Sequence, residues 1–315
     1  MAKRDIRYEP VDSKLILNPV KAQSMPFDWS INPYRGCQHG CSFCYARSTH
    51  AFLGIETDDT FQNRILVKQN AKEVLERQLR SLCRSGRGSV RDRHVAVGTA
   101  TDPYQPIEAK AGLTRDCLEL LAEYGVPVSI TTRSPLILRD IDVLKRLRLV
   151  SVNISVGTMD TGVWKAFEPS TPSPAKRLET VRALSEEGLA AGIFLAPLLP
   201  YLTDTEEEVR AVLEGAKASG ARFVMTSYLR LSTPEVKGWF MRTVEEHYPQ
   251  LADKYARLYA GRGYAPNWYT EPRKALIRDI RRQLGIPSDT DGTPSEPIIP
   301  PAPTESVPEQ LTFAF

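Results

Sequence analysis

No stretch of the chain approaches eighteen uninterrupted apolar residues, so no membrane-spanning helix is expected. The opening Met-Ala-Lys-Arg-Asp-Ile-Arg-Tyr has no apolar run behind its positive charges and does not read as a secretory signal. Cysteine is scarce: five in 315 residues, an odd number. With no export signal, that points to a reducing cytoplasm rather than a disulfide framework. The four histidines, His39, His50, His94 and His247, form no motif, and each reads as structural. No repeat of solenoid length is present. What is there, 42% apolar and 25% charged residues, is the composition of a globular protein with one large domain or two ordinary ones.

The net charge of +3 is unevenly placed. From Ile286 onward there are five acidic residues and no Lys or Arg, so the first 285 residues carry +8. A basic body suits an anionic partner such as nucleic acid. The loop from Arg84 to Arg93 holds four arginines, which fits either phosphate contact or a solvated connection.

Three of the five cysteines, Cys37, Cys41 and Cys44, lie in Asn-Pro-Tyr-Arg-Gly-Cys-Gln-His-Gly-Cys-Ser-Phe-Cys-Tyr. Three thiolates at this CxxxCxxC spacing can hold three irons of a cubane cluster. The fourth iron then has no ligand from the loop and is open to a substrate or cofactor, as a catalytic zinc is. Structural zinc fits less well, because it prefers paired CxxC units and four protein ligands. Cys83 and Cys117 share helical faces with leucines and read as small buried hydrophobes, with a fourth ligand or hydrogen donor as the alternative.

The segment to about Phe27 has few periodic features and reads as a wrapping extension. Six stretches then have strand character: Trp29–Tyr34, His94–Ala100, Pro127–Thr132, Leu149–Gly157, Leu189–Ala196 and Arg222–Tyr228. Helical patterns fill the gaps at Ala71–Arg84, Leu113–Tyr124, Leu138–Leu147, Ala175–Glu187 and Glu206–Ala218. Gly125, Gly188 and Gly220 stand where helix C-caps belong. The alternation predicts an α/β fold with a parallel sheet and right-handed crossovers, ligands gathering at the strands' carboxyl ends. Glu235–Tyr259 and Glu271–Leu284 read as C-terminal helices over one side of the opening. Ile286–Phe315, with seven prolines, reads as a disordered tail.

The cysteine string resembles the cluster loop of the radical S-adenosylmethionine (SAM) enzymes. Thr99-Ala-Thr-Asp102, Leu136-Ile-Leu-Arg-Asp140 and Val152-Asn-Ile-Ser-Val-Gly157 narrow the resemblance to a bacterial subfamily allied to spore photoproduct lyase, across roughly Ile31 to Arg278. The resemblance implies a partial (β/α)6 barrel. The expected divisions are an extension (1–28), the barrel (29–232), a helical segment (233–285) and the tail (286–315). It also implies a [4Fe-4S] cluster on Cys37, Cys41 and Cys44, with SAM on the open iron. One-electron cleavage to a 5′-deoxyadenosyl radical would follow, fed by a flavodoxin- or ferredoxin-type donor. Phe43 takes the aromatic position near the adenine. Thr101 and Asp102 after the second strand, Arg133 after the third, and Asn153 and Ser155 on one side of the fourth are candidates for SAM contacts.

In spore photoproduct lyase a cysteine three residues before the aspartate returns hydrogen to the product radical. Thr99 takes that place here, and its O–H bond is too strong for the task. Asp160, Trp164, Glu168 and Arg177 follow the fourth strand as possible substrate contacts. Gln310–Phe315 resembles the short peptides that bind the bacterial sliding clamp. The rival from another class is a non-enzymatic iron–sulfur or zinc module for redox sensing or nucleic-acid binding, which would need a fourth protein ligand.

Overall fold

The computed structural model describes residues 6–22, 25–53, 59–84 and 90–287. Its strands are β1 (Arg7–Val11), β2 (Leu17–Pro19), β3 (Trp29–Ile31), β4 (Tyr34–Arg35), β5 (Arg64–Lys68), β6 (Val95–Val97), β7 (Pro127–Thr132), β8 (Arg148–Ser155), β9 (Ala191–Leu198) and β10 (Val224–Tyr228). The main sheet runs β10-β9-β8-β7-β6-β3-β2. All neighbours from β3 to β10 are parallel; only β2 is antiparallel, to β3. The six expected strands are thus the six parallel strands, in sequence order. Among the described residues β10 pairs with neither β2 nor β3, so the sheet curls without closing.

The segment before β3, read as a wrapping extension with few periodic features, carries two strands. β1 pairs parallel with β5, and β4 completes a small sheet on the other side of β5. β1 faces mostly outward and β2 is three residues long. Neither carries an apolar period, because an existing strand edge supplies the hydrogen bonds that define them.

Ala71–Arg84, Leu113–Tyr124 and Glu206–Ala218 are helices at the expected bounds, and Pro174–Glu186 lies within a residue of its own. Gly125, Gly188 and Gly220 all adopt the left-handed φ of helix ends. The crossover between β7 and β8 is not a full helix: a 3-10 turn over Pro135–Asp140 precedes one α turn, Ile141–Leu144. Pro135 starts that turn behind the Ser134 cap. Its Arg139 and Asp140 are drawn into a network with Arg115 and the buried Glu108, which explains the Leu-Ile-Leu-Arg-Asp string as structural.

Valines and isoleucines of β6 to β9 meet Leu75, Leu79, Leu121, Val181 and Leu213 of the outer helices in one core. A second cluster is aromatic. Phe240 of Pro234–His247, Tyr255 of Ala252–Leu258 and Tyr269 of Asn267–Leu284 pack with Phe167, Cys41 and Phe43. The C-terminal helices therefore cover the side of the barrel that carries the cysteine loop. Cys117 is fully buried as expected, but Cys83 is exposed. Leu82 of the same last turn still packs against the core, while Cys83, one residue further round the helix, turns to solvent. Residues 85–89 of the arginine loop and Gln310–Phe315 lie outside the described residues.

Candidate cluster and cofactor site

The cysteine loop leaves β4 at Gly36, whose φ is +82°. A Cβ there would sit 2.7 Å from the Arg64 carbonyl and 2.8 Å from that of Phe61, so the chain can pass only without a side chain. The loop then turns tightly, with Gly40 N–H donating to the Cys37 carbonyl (3.2 Å) and Cys44 N–H to that of Cys41 (3.2 Å). Behind it, Arg47 is fully buried, donates to Gln62 (2.9 Å) and stacks 4.2 Å from the Trp239 ring. That contact fixes the loop to the C-terminal helices.

Cys37 and Cys41 are buried and Cys44 half-buried. Burial pushes the Cys41 and Cys44 thiols up, Arg133 opposing at both. At Cys37 burial acts the same way but is outweighed by His39, and the thiol titrates below its ordinary range. Among the described residues no group of His, Cys, Asp or Glu is arranged around a single-ion position. The CxxxCxxC spacing fits a four-iron cluster, in which each thiolate takes its own iron. Its positive irons would also relieve the burial that disfavours the bare thiolates.

Thr101 and Asp102 come together with the loop. Thr101 Oγ1 donates to the Gly36 carbonyl (2.7 Å), and Gln105 bridges Thr101 (2.9 Å) and the Gln38 N–H (3.0 Å). Asp102 accepts from Thr132 Oγ1 (2.6 Å) and the Arg133 N–H (2.8 Å), and its Oδ2 lies 3.2 Å from His39 Nδ1. Burial alone would raise Asp102, but His39 and these donors hold it at about 2. Burial alone would lower His39, but Asp102 and Cys37 raise it to about 10. The sequence reading missed His39: nothing local marks a lone histidine as the partner of a distant aspartate.

On the facing side, the Arg133 guanidinium stands 5.7 Å from the Phe43 ring centre, and its Nε is 3.5 Å from Glu168 Oε1. Glu168 is paired with the buried Arg177, which also donates to Thr171 (2.5 Å) and to the carbonyls of Ser155 (3.0 Å) and Pro172 (2.8 Å). Asn153 and Ser155 are buried on one face of β8. Asn153 Nδ2 donates to Thr131 (3.3 Å), while its Oδ1 is buried with no partner.

Two of the other four loop candidates are structural. Asp160 caps Thr161–Phe167, and Trp164 Nε1 donates to Thr171 (2.9 Å). Thr99 Oγ1 accepts from Asn32 (3.0 Å), and its carbonyl accepts from Tyr45. Neither Cys83, on an outer helix, nor Cys117, in the core, shares this site.

Residues 31–214 match the family model described as the radical SAM superfamily. An uncharacterised protein of Mycobacterium tuberculosis is 34% identical over 92% of this chain and 85% of its own. The radical SAM Nα-GlyT isomerase of Pseudomonas phage M6 is 26% identical over 89% of this chain and 53% of its own. Among solved structures, a spore photoproduct lyase mutant with bound AdoMet and dinucleoside spore photoproduct has the same fold, with TM-score 0.65 at 16% identity, covering 89% of this chain and 79% of that one. The non-enzymatic module does not survive a superfamily match over most of the barrel.

Proposed function

The chain belongs to the radical SAM superfamily and is an enzyme of that kind, and from that premise we propose that Cys37, Cys41 and Cys44 hold a [4Fe-4S] cluster open to SAM and that the substrate is a nucleic acid or nucleotide. When bound, the two cofactors supply one-electron cleavage of the sulfonium S–C bond to a 5′-deoxyadenosyl radical. The observation that carries the cofactor reading is Asn153 Oδ1, a buried acceptor without a partner on the face of β8 shared with Ser155. Such an atom costs stability until a ligand donates to it.

Around it, Phe43 offers an apolar face for the adenine, and Arg133, steadied by Glu168, carries positive charge for the methionyl carboxylate. Thr101 and Asp102, already engaged by the loop and strand ends, act as positioning residues rather than direct SAM contacts. The buried loop and the aromatic helices over it exclude water.

Three features support a nucleotide substrate. The first 285 residues carry +8. The rim holds exposed Tyr45 and exposed Tyr264, the latter 5.5 Å under the Arg230 guanidinium, a pairing suited to bases and phosphates. The phage relative is called an Nα-GlyT isomerase, and the lyase of the same fold binds a dinucleoside. Photoproduct repair itself is disfavoured by Thr99 and by the positions of Cys83 and Cys117. A flavodoxin- or ferredoxin-type donor and a cytoplasmic setting belong to this reading, as does the sliding clamp as a partner of Gln310–Phe315.

The test is anaerobic reconstitution of the full chain with iron and sulfide, then SAM and a strong reductant. The expected result is a [4Fe-4S] electron paramagnetic resonance spectrum perturbed by SAM, with release of 5′-deoxyadenosine, both lost in Cys41→Ala. A cluster indifferent to SAM would overturn the cofactor assignment. If neither DNA, RNA nor nucleosides changed the rate of 5′-deoxyadenosine release or became labelled from deuterated SAM, the substrate class would be wrong.

A further inference from the structure

We propose that the turn between the last two helices, Ala252–Leu258 and Asn267–Leu284, forms with the exit of β10 a platform for a single strand of nucleic acid. Tyr264 and Trp268 each stack a base, and Arg230 and Arg262 meet phosphates; the inference deepens the nucleic-acid reading above and rests on it. The positive charge of the chain is concentrated here. Residues 254–282 hold eight Lys or Arg against two acidic residues, and so carry +6 of the +8 found before Ile286. Some of these cations are paired locally, Arg273 with Asp204, Lys274 with Glu271 and Arg282 with Asp279. Arg230 and Arg262 are exposed, and among the described residues neither has a carboxylate partner.

Local packing turns the two rings to solvent. Tyr259 is fully buried, its hydroxyl donates to the Leu229 carbonyl (3.1 Å), and its own carbonyl accepts from Lys237 Nζ (2.9 Å). Gly261 then reverses the chain at a φ of +64°, and the Leu231 N–H donates to the Gly263 carbonyl (2.8 Å). An antiparallel bridge joins Arg230 to Tyr264. Neighbours along extended chain point to opposite sides. Leu229, Leu231 and Ala265 enter the aromatic cluster that contains Cys41 and Phe43, while Arg230 and Tyr264 face out, the guanidinium 5.5 Å from the ring centre. Tyr269 enters the same cluster, where its hydroxyl accepts from the Tyr201 N–H (2.9 Å) and the Arg273 guanidinium lies 3.7 Å from its ring centre. Trp268, one residue earlier on the helix, is left outside, edge-on to Tyr269 with ring centres 5.9 Å apart.

Tyr264 is 56% and Trp268 72% exposed, the two most exposed large apolar side chains among the described residues. Bare rings beside unpaired guanidinium groups suit a ligand with flat faces and repeated anionic groups, which is a nucleic-acid strand. Because buried groups hold the turn at both ends, little of it has to be ordered on binding. A duplex fits less well, since its base faces are stacked on one another and only their edges are offered. The platform and the cysteine loop share one end of the barrel, with the aromatic cluster packed between them.

The experiment uses the full chain without cluster or SAM and short fluorescently labelled single strands, DNA and RNA in parallel to tell the two sources apart. Anisotropy gives the affinity, and circular dichroism checks the fold. Tyr264→Ala and Trp268→Ala should each weaken binding roughly fivefold or more, while Trp268→Phe keeps most of it. Arg230→Gln should lower the slope of log affinity against log salt by about 0.7. A duplex of the same sequence should bind more weakly and be indifferent to the ring variants. Binding unchanged in both alanine variants, or a duplex held as tightly as the strand, would overturn the platform and leave the nucleic-acid reading standing. Displacement of the strand by polyglutamate at equal charge would overturn it in favour of an acidic protein segment. If the wild type bound no strand but the reconstituted enzyme labelled nucleosides from deuterated SAM, the platform alone would fall. No binding, and no labelling of DNA, RNA or nucleosides, would remove the platform and the substrate reading together.

Discussion

Arg177→Met tests the buried pair that supports the cofactor side of the barrel. Arg177 is 1% exposed, and its guanidinium serves Glu168, Thr171 and the carbonyls of Ser155 and Pro172. It thus ties Pro174–Glu186 to the loop before it and to the end of β8. Methionine fills similar volume but leaves the Glu168 carboxylate with Arg133 at 3.5 Å and Thr171 at 3.3 Å as its remaining partners. Breaking a buried pair on one side costs about 3–5 kcal/mol. At about 2–4 °C per kcal/mol for a domain near this size, the melting temperature should fall by about 6–20 °C.

Glu168→Gln combined with Arg177→Met should recover part of that loss, because the stranded charge is gone. The recovery is partial because Arg133 then loses its carboxylate, and SAM binding should weaken in the double variant. The pair also sets a pH dependence. Burial alone would raise Glu168, but Arg177 and Arg133 outweigh it and the carboxyl titrates below its ordinary value. Its contribution is therefore present above the unfolded pKa and lost as pH falls through the lower, folded value. The assay is thermal melting of the cluster-free chain by circular dichroism at neutral and acidic pH. A loss under about 1 kcal/mol, the range of exposed pairs, or a double variant no more stable than Arg177→Met, would refute the reasoning.

Asn153→Leu should leave the cluster-free chain at least as stable, since it removes a buried unpartnered oxygen, while weakening SAM roughly tenfold or more, about 1.4 kcal/mol; calorimetry on the reconstituted protein decides it. Gly98→Ala should destabilise strongly, because φ is +94° and its Cβ would sit 2.4 Å from the Thr131 carbonyl and 2.7 Å from Pro103; a melting temperature within a degree of wild type would contradict the close approach. Burial, with Arg35 adding, lowers Lys68 to about 8. Folding then favours the neutral amine, so stability should rise with pH from about 8 toward the unfolded lysine value near 10.4, by roughly 1–3 kcal/mol. Lys68→Met should lack that rise in denaturant titrations, and an unchanged slope would refute the assignment.

The site was legible in the sequence where it depends on neighbours along the chain. Cys37, Cys41 and Cys44 share one tight loop, so their spacing carries their chemistry. Asn153 and Ser155 share a strand face, so a period of two puts them together. Asp102 was named, but its pairing with His39 was opaque because the two come from different β/α units, and only the parallel register of β3, β6 and β7 brings those strand ends side by side. Glu168 and Arg177 could be named but not paired, since a loop rich in proline and threonine does not reveal which of its charges turn inward. The same limit explains Cys83: helical period places it near leucines, but which side of the last turn meets the core is set by the packing of other elements.

The sequence by itself determined the three-cysteine loop, the six parallel strands, most of the helices between them and the glycines that end three of those helices, because backbone hydrogen bonding, hydrophobic period and left-handed φ act over a few residues. Tertiary structure alone decided which side chains meet at the carboxyl ends of those strands: the His39–Asp102 pair against Cys37, the Arg177–Glu168–Arg133 chain beside Phe43, and the solitary acceptor on Asn153. Burial of a charge or polar atom is settled by everything packed around it, and no local stretch of chain contains that information.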